Sequence, residues 1–414
     1  MDKYQGVDSY WYDQVPSYWK KTKNKYVFCQ DKHVVGDDWE KFTLLTMGKS
    51  GVKPRDMDGG GKFPASFETY QTVEPNQLIF CLFDLDETPR TIGMSKDYGM
   101  ITSAYDVFST TEGNDPQFWT YFYQTIDDHK GLRPFYTGLR KVVRSETFMG
   151  IEVFSPPLEE QKLISRYLDK KTEQIDHLVE KIQKKIELLK EQRTSLINQC
   201  VTKGLNPNVE MKDSGVEWIG KIPKHWELKK LKYVSNQISK KRIPVDGDIK
   251  ISPENVESNT GRITNFYSDY DTEGQSFQKG DILFNKLRVY LNKVVLCDFD
   301  GLSMGEMIVV RPSSIENGYL YRVLNSSGFI NQINSLSEGV KLPRPSVSGI
   351  FDSYIPVPPL GEQTEIYKVI EQNTFLLDKV VEKHNSQIDY VQEYRQSLIS
   401  SVVTGKVRVT EDVI

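Results

Sequence analysis

Hydrophobic positions in this chain follow two rhythms. Between residues 156 and 202, apolar side chains recur every three or four positions: Ile164, Leu168, Ile175, Leu178, Ile182, Ile186, Leu189 and Leu196. Between 358 and 404 the same stripe is filled by Ile366, Ile370, Leu377, Val380, Ile388, Val391 and Leu398, with His384 where the first copy has Ile182. One narrow apolar stripe among charged faces predicts a long helix with a coiled-coil seam. A double proline opens each stretch, Pro156-Pro157 and Pro358-Pro359, where the missing N–H costs nothing. About 43 residues at roughly 1.5 Å each would make a rod near ~65 Å, too long for the core of one compact domain. Outside these stretches the pattern is short and β-rich: Gln77–Asp84, Met100–Phe108, Asp281–Asn285 and Met307–Arg311, bounded by Gly, Pro, Asn or Asp. Helical patches follow around Pro116–Thr125 and Tyr319–Ser335, and short strands at Ile151–Phe154 and Tyr354–Val357 lead into the double prolines.

The two helical stretches are copies that align without a gap. Glu160 and Gln161 recur as Glu362 and Gln363; Thr172 and Asp176 as Thr374 and Asp378; Arg193 and Leu196 as Arg395 and Leu398. A second repeat has the form W-x4-P-x2-W-x6-Y-V. Trp11, Pro16, Trp19, Tyr26 and Val27 match Trp218, Pro223, Trp226, Tyr233 and Val234. Such self-similarity sets the architecture. The order is Trp segment, variable domain, helix, repeated once, and the segment that symmetry places after the second helix opens the chain instead. Antiparallel helices would return the end of the second to the N-terminal Trp segment; a parallel pair would need a long chain return.

The predicted fold is therefore α+β: two globular domains separated by two long antiparallel helices forming a coiled coil, with a pseudo-two-fold internal repeat. The boundaries are 1–155 for the first domain, with its Trp segment at 4–27, and 156–205 for the central helix. The second domain takes 206–357, with its Trp segment at 211–234, and the distal helix and tail take 358–414.

The 414 residues suffice for two or three domains with real cores, and 38% hydrophobic content fits a soluble protein with exposed helices. No apolar run reaches the length of a membrane span, and the N-terminus has no signal-peptide pattern. Cys29, Cys81, Cys200 and Cys297 lie far apart, which predicts buried thiols in a reducing compartment and no zinc site. The formal net charge of −4 and pI near 5.9 lack the basic footprint of a self-sufficient nucleic-acid binder.

Chemistry-bearing motifs are weak. Gly48-Lys49-Ser50 imitates the end of a phosphate-binding loop, but Thr43 stands where the first glycine belongs, so a turn is the better reading. Gly59-Gly60-Gly61 reads as a loop tip, and Asp84, Asp86 and Glu87 as a solvated loop. No nucleophile–base constellation stands out, which predicts a chain without catalysis of its own. The remaining candidates are cations, since arginine reads guanine edges and lysine neutralises phosphates. In the first domain these are Arg55, Lys62, Arg90, Arg133, Arg140, Lys141 and Arg144; in the second, Lys241, Arg242, Lys286, Arg288, Lys341 and Arg344. Two clusters precede the final strand at matching places, Gly138 to Lys141 with Arg144, and Gly339 to Lys341 with Arg344. Trp11, Trp19, Trp218 and Trp226 read as packing anchors, and their position-matched repeat also makes them candidates for docking a partner.

The P-P-L-x-E-Q helix starts, the segment GVEWIGKIPKHWE and the S-L-I-x3-V-T helix ends resemble the specificity subunit of Type I restriction–modification enzymes. The resemblance runs along the whole chain in order, although the first Trp segment departs from it, reading SYWYDQVPSYW. It implies that each variable domain reads one half of a split double-stranded DNA sequence. It also implies that the helices dock two methyltransferase subunits, with motor-nuclease subunits as further partners, through residues such as Glu160, Gln161, Glu362 and Gln363. The subunit would be non-catalytic and cytoplasmic, without membrane contact or cofactor; S-adenosylmethionine and ATP would be held by partners. The competing expectation is a coiled-coil scaffold whose two domains bind proteins.

Overall fold

The computed structural model describes residues 4–48, 51–56, 66–138, 141–266, 272–337, 339 and 343–413. Its α-helices are α1 (Pro116–Asp128), α2 (Ser145–Gly150), α3 (Leu158–Lys203), α4 (Asn317–Asn325), α5 (Ser327–Ser335), α6 (Val347–Asp352) and α7 (Leu360–Val403). The chain divides into two compact units, Met1–Lys181 with Ser386–Ile414, and Ile182–Asn385, so each long helix contributes to both. No helix of the described residues is long and apolar enough to cross a membrane.

Both units are built on the same sheet. In the first, four antiparallel strands run in the order 28–31, 106–110, 78–80, 92–94. In the second, the order is 235–238, 307–312, 282–285, 294–296, again antiparallel. The β-run expected at Met100–Phe108 is two strands, Gly99–Ile101 and Asp106–Thr110, because residues 102–105 turn the chain. One helix packs on each sheet at matching places. Asp115 caps α1 by accepting from Phe118 N at 2.8 Å, with Pro116 at the first turn. Glu316 caps α4 in the same way, accepting from Tyr319 N at 2.5 Å. The helical patch expected over Tyr319–Ser335 is broken at Ser326, whose extended backbone ends α4 and whose side chain caps α5.

Antiparallel helix pairing is present in each unit. In the first, Ile164 and Leu168 from the start of α3 share a core with Ile399, Val402 and Val403 from the end of α7. In the second, Ile197, Cys200 and Val201 from the end of α3 share a core with Ile366 and Ile370 from the start of α7. The ion pairs repeat as well: Arg395 faces Asp176 at 3.7 Å, and its counterpart Arg193 faces Asp378 at 3.1 Å.

The expected seam needs correction. Leu178 and Val380 are 42% and 41% exposed, while Thr172, Thr374 and Arg193 are buried. Two-helix spacing was the wrong template there, since the domain helices pack on as third members. The hydroxyl of Tyr121 on α1 lies 3.3 Å from Thr172 Oγ1, and Arg322 Nη2 on α4 donates to Thr374 Oγ1 at 3.4 Å.

The Trp segments close the helix ends. Trp226 is fully buried beside Gly204, which follows α3 in the left-handed conformation; a Cβ there would sit 3.0 Å from the indole. Trp19 is buried beside Gly405, equally left-handed, and Tyr4 donates its hydroxyl to Gly405 O at 3.0 Å. The N-terminal segment thus packs where α7 ends, as the repeat requires. Of the four cysteines Cys29 is exposed, against expectation, because it lies on the edge strand 28–31 with its side chain off the core face.

Candidate nucleic-acid interface

Where each domain meets the long helices, the polar residues that the repeat duplicates are used internally. Gln161 donates to Pro156 O at 2.9 Å and accepts from Asp115 N at 2.9 Å, tying the start of α3 to the start of α1. Gln363 does the same with Pro358 O and Glu316 N, both at 2.7 Å. Glu160 accepts from Tyr18 at 3.0 Å and from the Trp19 indole at 3.4 Å. Glu362 lies 2.9 Å from His225 and accepts from the Trp226 indole at 3.1 Å. Burial and the Glu160 carboxylate push the Tyr18 phenol up to about 12. The buried side chains of Trp19, Trp226, Gln161 and Gln363 therefore present no docking surface; each joins a domain to a helix. Trp11 and Trp218 are partly exposed. Trp11 donates to Gly131 O at 2.9 Å, and Trp218 packs edge-on against Phe329.

Cations sort into three groups. Some are drawn into structural pairs. Arg90 reaches Asp128 at 2.8 Å and Asp127 at 3.4 Å, anchoring the end of α1. Arg242 forks onto Asp248, whose carboxyl that guanidinium holds down at about 2.

A second group gathers around a shared carboxylate. In the first unit Asp86 receives Arg133 at 2.8 Å, Lys141 at 2.9 Å and the Tyr136 hydroxyl at 3.1 Å. Lys141 first, then Arg133, hold the Asp86 carboxyl at about 2. In the second unit Glu306 receives Lys286 at 2.6 Å and Arg344 at 2.9 Å, and its carboxyl is likewise depressed, chiefly by Lys286. Arg133, Lys141 and Arg344 remain about half exposed or more. Such clusters hold charge at the surface without collapsing it inward.

The third group, Lys241, Arg144 and Arg288, is exposed, and Arg55 is exposed beside partners of its own. Arg144 is the N-cap of α2, and the N-cap of α6 is Ser346, so Arg144 and Arg344 do not occupy equivalent places. Lys62, Arg140 and Lys341 lie outside the described residues, as do Lys49, Ser50 and the glycines 59–61. Among the described residues no group of three or more His, Cys, Asp or Glu side chains is placed to hold a metal ion. Sequence reading passed over Glu306, an isolated acid with no local signal, and took Asp86 for a solvated loop residue.

Residues 223–389 match the family described as Type I restriction modification DNA specificity domain. The chain is 24% identical over 285 residues to the Type I restriction enzyme EcoDI specificity subunit of Escherichia coli, covering 64% of each chain. It is 26% identical over 291 residues to the MjaVIII specificity subunit of Methanocaldococcus jannaschii, again covering 64% of each. These alignments span less than two thirds of the relatives' length. Among solved structures, a chain from work on complex assembly and conformational transition of the type I R-M system superposes with TM-score 0.69 at 12% identity, over 95% of this chain and 99% of that one. The HsdS subunit of Thermoanaerobacter tengcongensis superposes with TM-score 0.54 at 13% identity, over 95% and 98%. At those identities the likeness establishes the fold.

Proposed function

Because the chain belongs to the family of Type I restriction–modification specificity subunits, we propose that it reads a split double-stranded DNA target, one half-site per unit. It docks two methyltransferase subunits and, through the assembly, motor-nuclease subunits. It performs no chemistry itself: methyl transfer with S-adenosylmethionine and ATP-driven translocation belong to its partners, in the cytoplasm. The observation that carries this reading is the contrast within each unit. The helix–domain joint repeats its hydrogen-bonding plan, Gln161 and Glu160 against Gln363 and Glu362, whereas the exposed cations differ in place and partner from one domain to the other. A scaffold that presents two different readers in one geometry needs that combination. Partner subunits supply further backbone charge, which fits the acidic net charge of −4.

The test is methylome sequencing of a host without restriction systems, given this gene and its methyltransferase partner. The expected result is a two-part motif with a fixed spacer, lost when this gene is deleted. Methylation that persists unchanged without the gene overturns the proposal.

A further inference from the structure

Within the shared sheet, the strands 78–80 and 92–94 of the first unit and 282–285 and 294–296 of the second are joined by loops that superimpose in logic but not in charge. Phe80 pairs with Ile92 and Phe284 with Val294, which fixes the register of the two loops. Four residues after Phe80 comes Asp84, and four after Phe284 comes Arg288. Both have left-handed backbone, φ 46° and 52°. Both are followed by a buried anchor, Leu85 and Val289. The carbonyl of each accepts from the residue three ahead: Glu87 N on Asp84 O at 3.1 Å, Leu291 N on Arg288 O at 2.9 Å. The two loops therefore share a turn, residues 84–87 in one and 288–291 in the other, with an exposed charged residue at its left-handed first position.

Left-handed backbone is uncommon for any side chain but glycine, asparagine and aspartate, and such conformations gather where a side chain has to be aimed. One acid beside each tip is paired: Asp86 by Arg133 and Lys141, Glu306 by Lys286 and Arg344. Asp84 and Arg288 are not. Neither side chain makes a hydrogen bond or ion pair with the described residues, and Arg288 borders an open cleft of about 350 Å³ shared with Lys293 and Glu306. A charge held out, unpaired, on a rigid turn flanked by paired charges has the arrangement of a reading tip, with its neighbours left to meet phosphates.

We infer that Asp84 and Arg288 are equivalent base-reading residues of opposite hydrogen-bonding sense. Arg288 donates in a fork to the O6 and N7 acceptors of a guanine. Asp84 accepts from the exocyclic N4 amine of a cytosine. This deepens the proposed function and rests on it: the two half-sites differ in part because one turn carries a donor in one unit and an acceptor in the other.

The test uses the full chain assembled with its methyltransferase partner. Asp84→Asn and Arg288→Asn suit the left-handed turn, and Arg288→Lys keeps the charge while losing the fork. Motifs are read by methylome sequencing and binding by competition over all single-base variants of the wild-type site. Arg288→Asn and Arg288→Lys should each lose roughly 5- to 150-fold of discrimination at one guanine of one half-site. Asp84→Asn should do the same at one cytosine of the other half-site. Equal weakening on every sequence would make these residues phosphate contacts and overturn the inference, as would an unchanged motif or relaxation of the same half-site by both. A wild-type complex with no motif at all would instead remove the reading beneath it. Matched thermal transitions of variants and wild type separate misfolding from lost recognition, and Arg288→Lys retaining full discrimination would by itself sink the fork.

Discussion

The joint in the first unit and the joint in the second are the same machine with one part exchanged. In the first, Tyr121 of α1 donates to Asp169 of α3 at 2.7 Å, next to Thr172. In the second, Arg322 of α4 donates to Glu371 of α7 at 2.7 Å and to Thr374 at 3.4 Å. The helix side of the contact is conserved through the repeat, Asp169 against Glu371 and Thr172 against Thr374. The domain side is free to change, a phenol against a guanidinium. Constraint follows the element that must fit two partners at once: each long helix serves both units, whereas each domain helix answers to one. That difference explains how sequence can diverge in the domains without disturbing the frame.

The strongest way to break the comparison is at the Trp anchors. Trp226 is fully buried and Trp19 3% exposed, each against a left-handed glycine that ends a long helix. Trp19→Ala and Trp226→Ala should each cost about 3–5 kcal/mol, the usual penalty for emptying such a site. Urea unfolding followed by circular dichroism reads this directly. If one substitution proves nearly silent, the two joints are not equivalent.

The exchanged part offers a finer test. Glu371→Ala leaves the buried Arg322 guanidinium short of its carboxylate and should cost about 1–3 kcal/mol. The pair Arg322→Tyr with Glu371→Asp copies the first unit's arrangement into the second. It should recover most of that loss if the surroundings are as alike as the repeat implies. A double variant no more stable than Glu371→Ala would show that the packing around α4 has specialised to the arginine.

These contrasts also explain what could be read from sequence. The helices were legible because burial every three or four residues writes itself into composition twice, and the Trp segments because two tryptophans at fixed spacing rarely recur by chance. The antiparallel arrangement was legible because the Trp segment at 4–27 repeats the one that follows α3, and two antiparallel helices let it pack at the end of α7 in the same way. The third helix at each joint was not, since Thr172 and Thr374 look like polar interruptions of a seam until Tyr121 and Arg322 arrive from far along the chain. Among candidate site residues, cation identity was legible and cation employment was not. Nothing local distinguishes Arg90, bound to Asp127 and Asp128, from Arg288, which has no such partner among the described residues. Pairing is a long-range property, as is the shared turn that sets Asp84 opposite in charge to Arg288.

The smallest predicted effect separates the acidic hubs. Lys141 and Arg133 depress the Asp86 carboxyl from 3.8 to about 2, so the ionised form is favoured in the folded state. A group with a depressed folded value contributes stability that is fully present above its unfolded value and is lost as pH falls through the folded one. For Asp86 that window runs from about pH 4 down to about pH 2. Asp248 shares the window in the second unit, held by Arg242, which is why a whole-chain acid titration alone cannot assign the effect. Asp86→Asn should flatten part of the acid limb of a stability–pH curve while leaving neutral stability little changed, since exposed ion pairs contribute modestly and are screened by salt. Asp86→Asn and Asp248→Asn together should flatten it further, roughly additively, because the two sites belong to different units and share no partner. An acid limb that keeps its slope in the double variant would place the titrating carboxylates elsewhere, with Glu306 and its cations the next to be replaced.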